Sequence, residues 1–174
     1  SFKVDYRVIP WTTYTDPEVA RVGLNETDAK DKGIACELTR YNFEELDRAI
    51  ADSEDHGFIK VLTKPGTDKI LGVTIVGAGA GDIIAEYVLA MKQGLGLNKI
   101  LSTIHTYPTM AEANKYAAGE WKKPMRLKRF SGGLKNITSG QGGQIADEAP
   151  RMSSGEYKFR TACVAGGSEF ISGL

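Results

Sequence analysis

The sequence predicts an α+β domain: a mainly antiparallel sheet with helices packed on one face. Three observations carry this. Runs rich in β-branched and aromatic residues recur at strand length, bounded by turn residues. Two of them, Phe58 to Thr63 and Ile70 to Val76, flank Lys64-Pro65-Gly66-Thr67-Asp68. In that turn Pro fixes φ and Gly accepts positive φ, so the pair closes as a hairpin. The order is strand, helix, strand, strand pair, helices, which suits a sheet with its helices gathered together.

Taken in order, Val8 to Tyr14 reads as a strand, broken at Asp16-Pro17, with Val19 to Leu24 resuming beyond the turn. Asn25 reads as an N-cap. Asp28, three residues on, completes a capping box with Asp in place of Glu, and Gly33 ends the short helix. Glu37 to Phe43 alternates weakly as a strand, and Leu46 to Ala51 makes a helical turn inside an acidic loop. The hairpin strands are apolar on both faces and belong in the covered centre of the sheet. Ile83, Ile84, Tyr87, Val88, Met91 and Leu95 then form one apolar helical stripe, ended by Gly94 and Gly96. Leu97 to Ser102 is a second short helix. Pro108 keeps Tyr107 out of the α region, so Thr103 to Pro108 is extended. Thr109 caps a last helix through Tyr116, with Glu112 in the capping-box position.

Composition divides the chain near residue 130. Residues 1–130 hold the strong periodic patterns. Residues 131–174 hold nine of the twenty glycines and few large apolar side chains. Ser131-Gly132-Gly133 and the stretch Ser139-Gly140-Gln141-Gly142-Gly143 read as linker or loop. Tyr157 to Val164 reads as one added strand, within about residues 157–165. There is no internal repeat.

The 22 basic and 22 acidic residues cancel. That excludes a nucleic-acid binder, which needs clustered excess Lys and Arg. No run of ~18 apolar residues predicts a membrane span. The N-terminus has no basic-then-apolar signal segment. Cys36 and Cys163 form no disulfide framework, so a reduced, cytoplasmic setting is expected, with each cysteine a small buried hydrophobe. Two histidines and two separated cysteines predict no metal site. The chain begins at Ser1 rather than Met, which raises the expectation of a piece of a longer protein.

Four motifs invite a chemical reading. Gly77-Ala78-Gly79-Ala80-Gly81-Asp82 lies between a strand and a helix, as a dinucleotide fingerprint does. Its spacing is G-x-G-x-G and no parallel β-α-β unit surrounds it, which favours close backbone packing over phosphate binding. His105, Tyr107 and Glu112 suit an acid/base pair just before a helix, although capping alone accounts for Glu112. Asp16-Pro17-Glu18 reads as a simple turn. Lys122, Lys123, Arg126, Lys128 and Arg129 read as a solvated helix end.

These residues also carry a resemblance. Pro10 to Gly23, reading Pro-Trp-Thr-Thr-Tyr-Thr-Asp-Pro-Glu-Val-Ala-Arg-Val-Gly, resembles the entry of the C-terminal dimerisation domain of flavin-dependent pyridine nucleotide-disulfide oxidoreductases. That family includes dihydrolipoamide dehydrogenase, glutathione reductase and mercuric reductase. Gly57-Phe58-Ile59-Lys60-Val61 and Ile70-Leu71-Gly72-Val73 resemble its central hairpin. Gly77-Ala78-Gly79-Ala80 with Ile84 and Glu86 resembles the helix start that follows. Thr103-Ile104-His105-Thr106-Tyr107-Pro108-Thr109-Met110-Ala111-Glu112 resembles its active-site segment, H-x-H-P-T-x-x-E. The resemblance spans roughly residues 4 to 130, and the order of the four motifs makes it specific.

The resemblance implies a homodimer in which each subunit's interface domain reaches the partner's flavin. In the complete enzyme NAD(P)H reduces FAD, the flavin reduces a disulfide, and the dithiol acts on substrate. Neither the FAD nor the NAD(P)H fingerprint lies in this chain, nor does a redox-active Cys pair. The resemblance therefore implies a domain that binds neither cofactor and is inactive by itself. It assigns catalytic roles to Tyr107 and Glu112, in the context of a full enzyme only. His105 and Pro108 fall near the partner's flavin. Tyr107 stands where most of the family has its second His, and a phenol with pKa ~10 is a weaker base than an imidazole at ~6.5. Tyr at this place resembles mercuric reductase, although the vicinal Cys pair which that enzyme carries at its C-terminus is not found here. The implied function is the dimerisation domain of a mercuric-reductase-like oxidoreductase. The alternative is a free-standing interaction module that dimerises or pairs with full-length reductases.

Overall fold

The computed structural model describes residue 6, residues 8–135 and residues 161–163, with side chains described through residue 123. Its centre is a six-stranded antiparallel sheet. The strands are β1 (Pro10–Thr13), β2 (Val19–Gly23), β3 (Cys36–Asn42), β4 (Phe58–Thr63), β5 (Ile70–Val76) and β6 (Thr161–Cys163), in the spatial order β1-β2-β5-β4-β3-β6. The predicted hairpin is β4 and β5, with Val61 opposite Val73 and Ile59 opposite Ile75. It lies between β2 and β3, central as expected, but only one face is fully covered: on the other, Phe58, Lys60, Thr74 and Val76 are half-buried.

Among the described residues five α-helices accompany the sheet: α1 (Glu26–Asp31), α2 (Asp47–Ala51), α3 (Ala80–Lys92), α4 (Leu97–Ser102) and α5 (Glu112–Lys135). On one sheet face, Val22, Tyr41, Ile59, Val61, Val73 and Ile75 meet Ile83, Ile84 and Tyr87 of α3 and Ala113, Ala117 and Trp121 of α5 in a single core. Helix α1 closes one corner of the other face, where Ala29 packs with Cys36 and Leu62. Its start carries the predicted capping box. Asn25 Oδ1 accepts from the Asp28 amide at 2.6 Å, and Asp28 Oδ2 accepts from the Asn25 amide at 3.1 Å. Arg21 pairs with Asp28, and Lys60 with Glu26 at 2.8 Å, which ties α1 to the polar residues of that face.

Two boundaries differ from expectation. Helix α5 does not stop at Tyr116. Its backbone stays helical through Ser131-Gly132-Gly133 to Lys135, where glycine composition predicts a loop. Once a helix is nucleated each added residue gains a hydrogen bond, and the ~1 kcal/mol cost of a glycine does not end it. The strand expected over Tyr157 to Val164 is present as Thr161–Cys163, and its register on β3 sets Cys163 opposite Cys36. The Ser139 to Gly143 stretch lies outside the described residues.

Candidate functional site

The glycine turn before α3 is filled from within the chain. The Gly77 amide donates to the Glu18 carbonyl at 2.9 Å, and the Gly81 amide donates to Glu18 Oε2 at 3.1 Å. A carboxylate thus occupies the helix N-terminus, where free N–H groups and the helix dipole favour an anion. At Gly77 φ is +147° and a Cβ would collide with the Phe43 ring, which also crowds Gly57. Gly79 caps the helix at φ +67°. These glycines make room for an aromatic ring and a carboxylate. Sequence reasoning had the packing role but missed both occupants. Glu18 was visible only as part of a turn, and Phe43 only as the end of a strand.

The second segment runs from the end of α4 to the start of α5 and is tied down along its length. Thr103 Oγ1 donates to the Lys99 carbonyl at 2.8 Å, and Thr109 Oγ1 to the Thr106 carbonyl at 2.7 Å. Glu112 Oε2 accepts from the Thr109 amide at 3.2 Å. The expected capping box is therefore half formed. Glu112 does its part, but the Thr109 hydroxyl turns back into the loop.

His105 is the main anchor. Its side chain is 7% exposed, and each ring nitrogen faces an acceptor. Nδ1 lies 3.2 Å from the Thr103 carbonyl oxygen, and Nε2 lies 3.1 Å from both carboxylate oxygens of Glu86. Asn114, fully buried on α5, donates through Nδ2 to Glu86 Oε2 at 2.8 Å and to the Ile83 carbonyl at 3.0 Å. Helices α3 and α5 thereby hold the loop through one imidazole. Spacing from His105 to Tyr107 and Glu112 carried no signal for Glu86 or Asn114, because these partners come from two helices.

Between these anchors the large side chains point outward. Ile104 is 93% exposed and Tyr107 65%, and Pro108 is exposed beside them. The Tyr107 hydroxyl donates to Asp47 Oδ2, from α2, at 2.9 Å. That hydrogen bond, then the Asp47 charge, then slight burial and the more distant Glu112 and Tyr116, push the phenol above its ordinary pKa. Of the predicted site residues, Tyr107 and Pro108 share one loop with His105, and Glu112 begins the helix that follows; Glu112 is 7% exposed and bonds the Thr109 amide, while Tyr107 bonds Asp47. A further exposed apolar surface lies across α3. There Pro10, Trp11, Tyr14, Ile84 and Val88 line a groove of about 370 Å³ between β1 and α3.

Two long helices on one face of an antiparallel sheet, with a helix-initiating loop left open at its rim, define the dimerisation-domain class of α+β fold found in FAD/NAD-linked reductases. Residues 9–118 match the family described as pyridine nucleotide-disulphide oxidoreductase, dimerisation domain, and the chain belongs to that family. Over 114 residues it is 46% identical to a dihydrolipoyl dehydrogenase from Trypanosoma brucei brucei, covering 66% of this chain and 24% of that one. Over 115 residues it is 44% identical to a dihydrolipoamide dehydrogenase from Chaetomium thermophilum, covering 66% and 23%. The chain thus spans about a quarter of the length of these relatives, and the matched part is the dimerisation domain rather than the cofactor-binding regions. Among solved structures, LpdA from Mycobacterium tuberculosis shares the fold with a TM-score of 0.62 at 24% identity, over 68% of this chain and 26% of that one. The flavoprotein disulfide reductase RclA from Escherichia coli does so with a TM-score of 0.61 at 22% identity, over 65% and 26%. No helix among the described residues is long and apolar enough to cross a membrane.

Proposed function

We propose that this chain is the dimerisation domain of a mercuric-reductase-like flavoprotein disulfide oxidoreductase, acting in a reduced, cytoplasmic setting as a homodimer. On this reading hydride transfer belongs to FAD- and NAD(P)H-binding regions outside the matched domain, and the domain alone is not catalytic. One observation carries the reading: within a family of dimerisation domains, the 103–112 loop is rigidly anchored yet leaves Ile104 and Tyr107 outside. Exposed apolar side chains on a fixed backbone suit a protein partner.

FAD supplies electrons to a disulfide when bound in an enzyme of this kind. The residues here divide accordingly. His105 spends both ring nitrogens inside the chain, so it offers no free polar atom to a flavin and fixes the loop instead. Pro108 and Tyr107 are the exposed members of the predicted site and meet the partner subunit. Tyr107 supplies a hydroxyl where an imidazole would supply a base, and this favours an acceptor handled through oxygen contact over ordinary dithiol acid/base chemistry.

Sedimentation equilibrium of the 174-residue chain at tens of micromolar tests the association. A dimer is expected. A strict monomer across that range sinks autonomous dimerisation.

A further inference from the structure

The geometry points to Asp47 as the positioning residue for the Tyr107 phenol. This rests on the reading that Tyr107 is the functional group of the loop, and it adds a residue from a separate element 60 positions away in sequence.

Glu112 has other work. It is nearly buried and its Oε2 holds the Thr109 amide, so it starts α5. Asp47 is exposed, and its Oδ2 is the acceptor that the phenol reaches, at 2.9 Å. Its position is fixed from behind. Leu46 and Ala49, on either side, are buried in the main core, and the Leu46 amide is bonded to the Phe43 carbonyl at 2.9 Å. Asp47 therefore sits on a packed support while its carboxylate stands in solvent beside the loop. The charged or titratable groups acting on the phenol are Asp47, Glu112 and Tyr116, with Asp47 first among them.

The direction of this hydrogen bond has a chemical consequence. A phenol has one proton and two acceptor lone pairs. With the proton directed at Asp47, the lone pairs of Tyr107 are left for whatever stands over the loop. The complementary group is then a hydrogen-bond donor or a cation: a thiol S–H or a metal cation, rather than a carboxylate or a thiolate. No proton leaves the phenol in forming this arrangement.

Tyrosine labelled with ¹³C at Cζ, in the full chain, reads the phenol directly, with Tyr107→Phe assigning its resonance among the seven tyrosines. Asp47→Asn and Asp47→Ser are both expected to move the Tyr107 titration to lower pH and to change its Cζ shift at neutral pH. Asp47→Glu is expected to restore part of the wild-type behaviour. Glu112→Gln is expected to move the titration less than either, while lowering the melting temperature. Asp47 is exposed, so neither replacement removes core. An unchanged Tyr107 titration in both Asp47 variants, or a larger movement in Glu112→Gln, overturns the assignment. The Asp47 hydrogen bond lies within one chain and can be read in a monomer as in a dimer, so a monomeric chain would defeat the dimer reading and leave this assignment standing or falling on its own.

Discussion

The turn before α3 and the loop before α5 both lead into a helix, and they end in opposite conditions. At the turn the Gly77 and Gly81 amides go to Glu18, and the space beside Gly77 is taken by Phe43. At the loop the polar groups are also satisfied internally, yet Ile104 and Tyr107 remain outside. The difference separates two uses of an irregular segment. One that buries its own occupants serves the core. One that is anchored through a buried imidazole and threonine hydroxyls and holds large apolar residues in solvent is prepared to meet another surface.

That contrast can be broken by mutation. The largest effect is expected from Phe43→Ala, which removes a fully buried ring and costs about 3–5 kcal/mol in urea unfolding. Gly77→Ala adds overpacking to positive-φ strain, roughly 2–4 kcal/mol together, and a neutral result would show that the turn has slack to give. Asn114→Ala strips the buried support of Glu86. A loss of about 1–3 kcal/mol is expected, together with faster amide exchange over residues 103–107; exchange that stays slow would mean that the loop is held without this network. Tyr107→Phe is expected to change stability by less than about 0.5 kcal/mol, because the side chain is mostly exposed. A loss well above that would make Tyr107 a packing residue and dissolve the contrast.

Much of this fold could be read from residue order. The hairpin was legible because Pro65 and Gly66 mark its turn and because its strands carry apolar residues on both faces. The Asn25–Asp28 box was legible because capping is local, decided within four residues. The end of α5 was not, since glycine composition says where a helix is costly and not where accumulated hydrogen bonds outweigh that cost. For the site, Tyr107, His105 and Glu112 stood together in sequence. Their partners did not. Asp47 and Glu86 reach the loop from α2 and α3, and Asn114 of α5 supports Glu86 from behind, a combination that no local spacing encodes. The His105 ring is held by Glu86 and by the Thr103 carbonyl, and neither contact could be read from the motif itself. Cys36 and Cys163 illustrate the same limit, since the register that sets them opposite spans most of the chain.

The crowding of Phe43 against Gly57 and Gly77 has one more consequence. The ring behaves as a built-in guest, seated in a cleft that exists only because two glycines leave it open. Taking the guest away by Phe43→Ala leaves a benzene-sized void walled by backbone and apolar side chains, the kind of void that stays dry and accepts small aromatics. Added benzene or toluene should then recover part of the lost stability in that variant and do nothing for the parent chain. The glycine turn is a receptor after all, for a six-membered carbon ring that the polypeptide already carries.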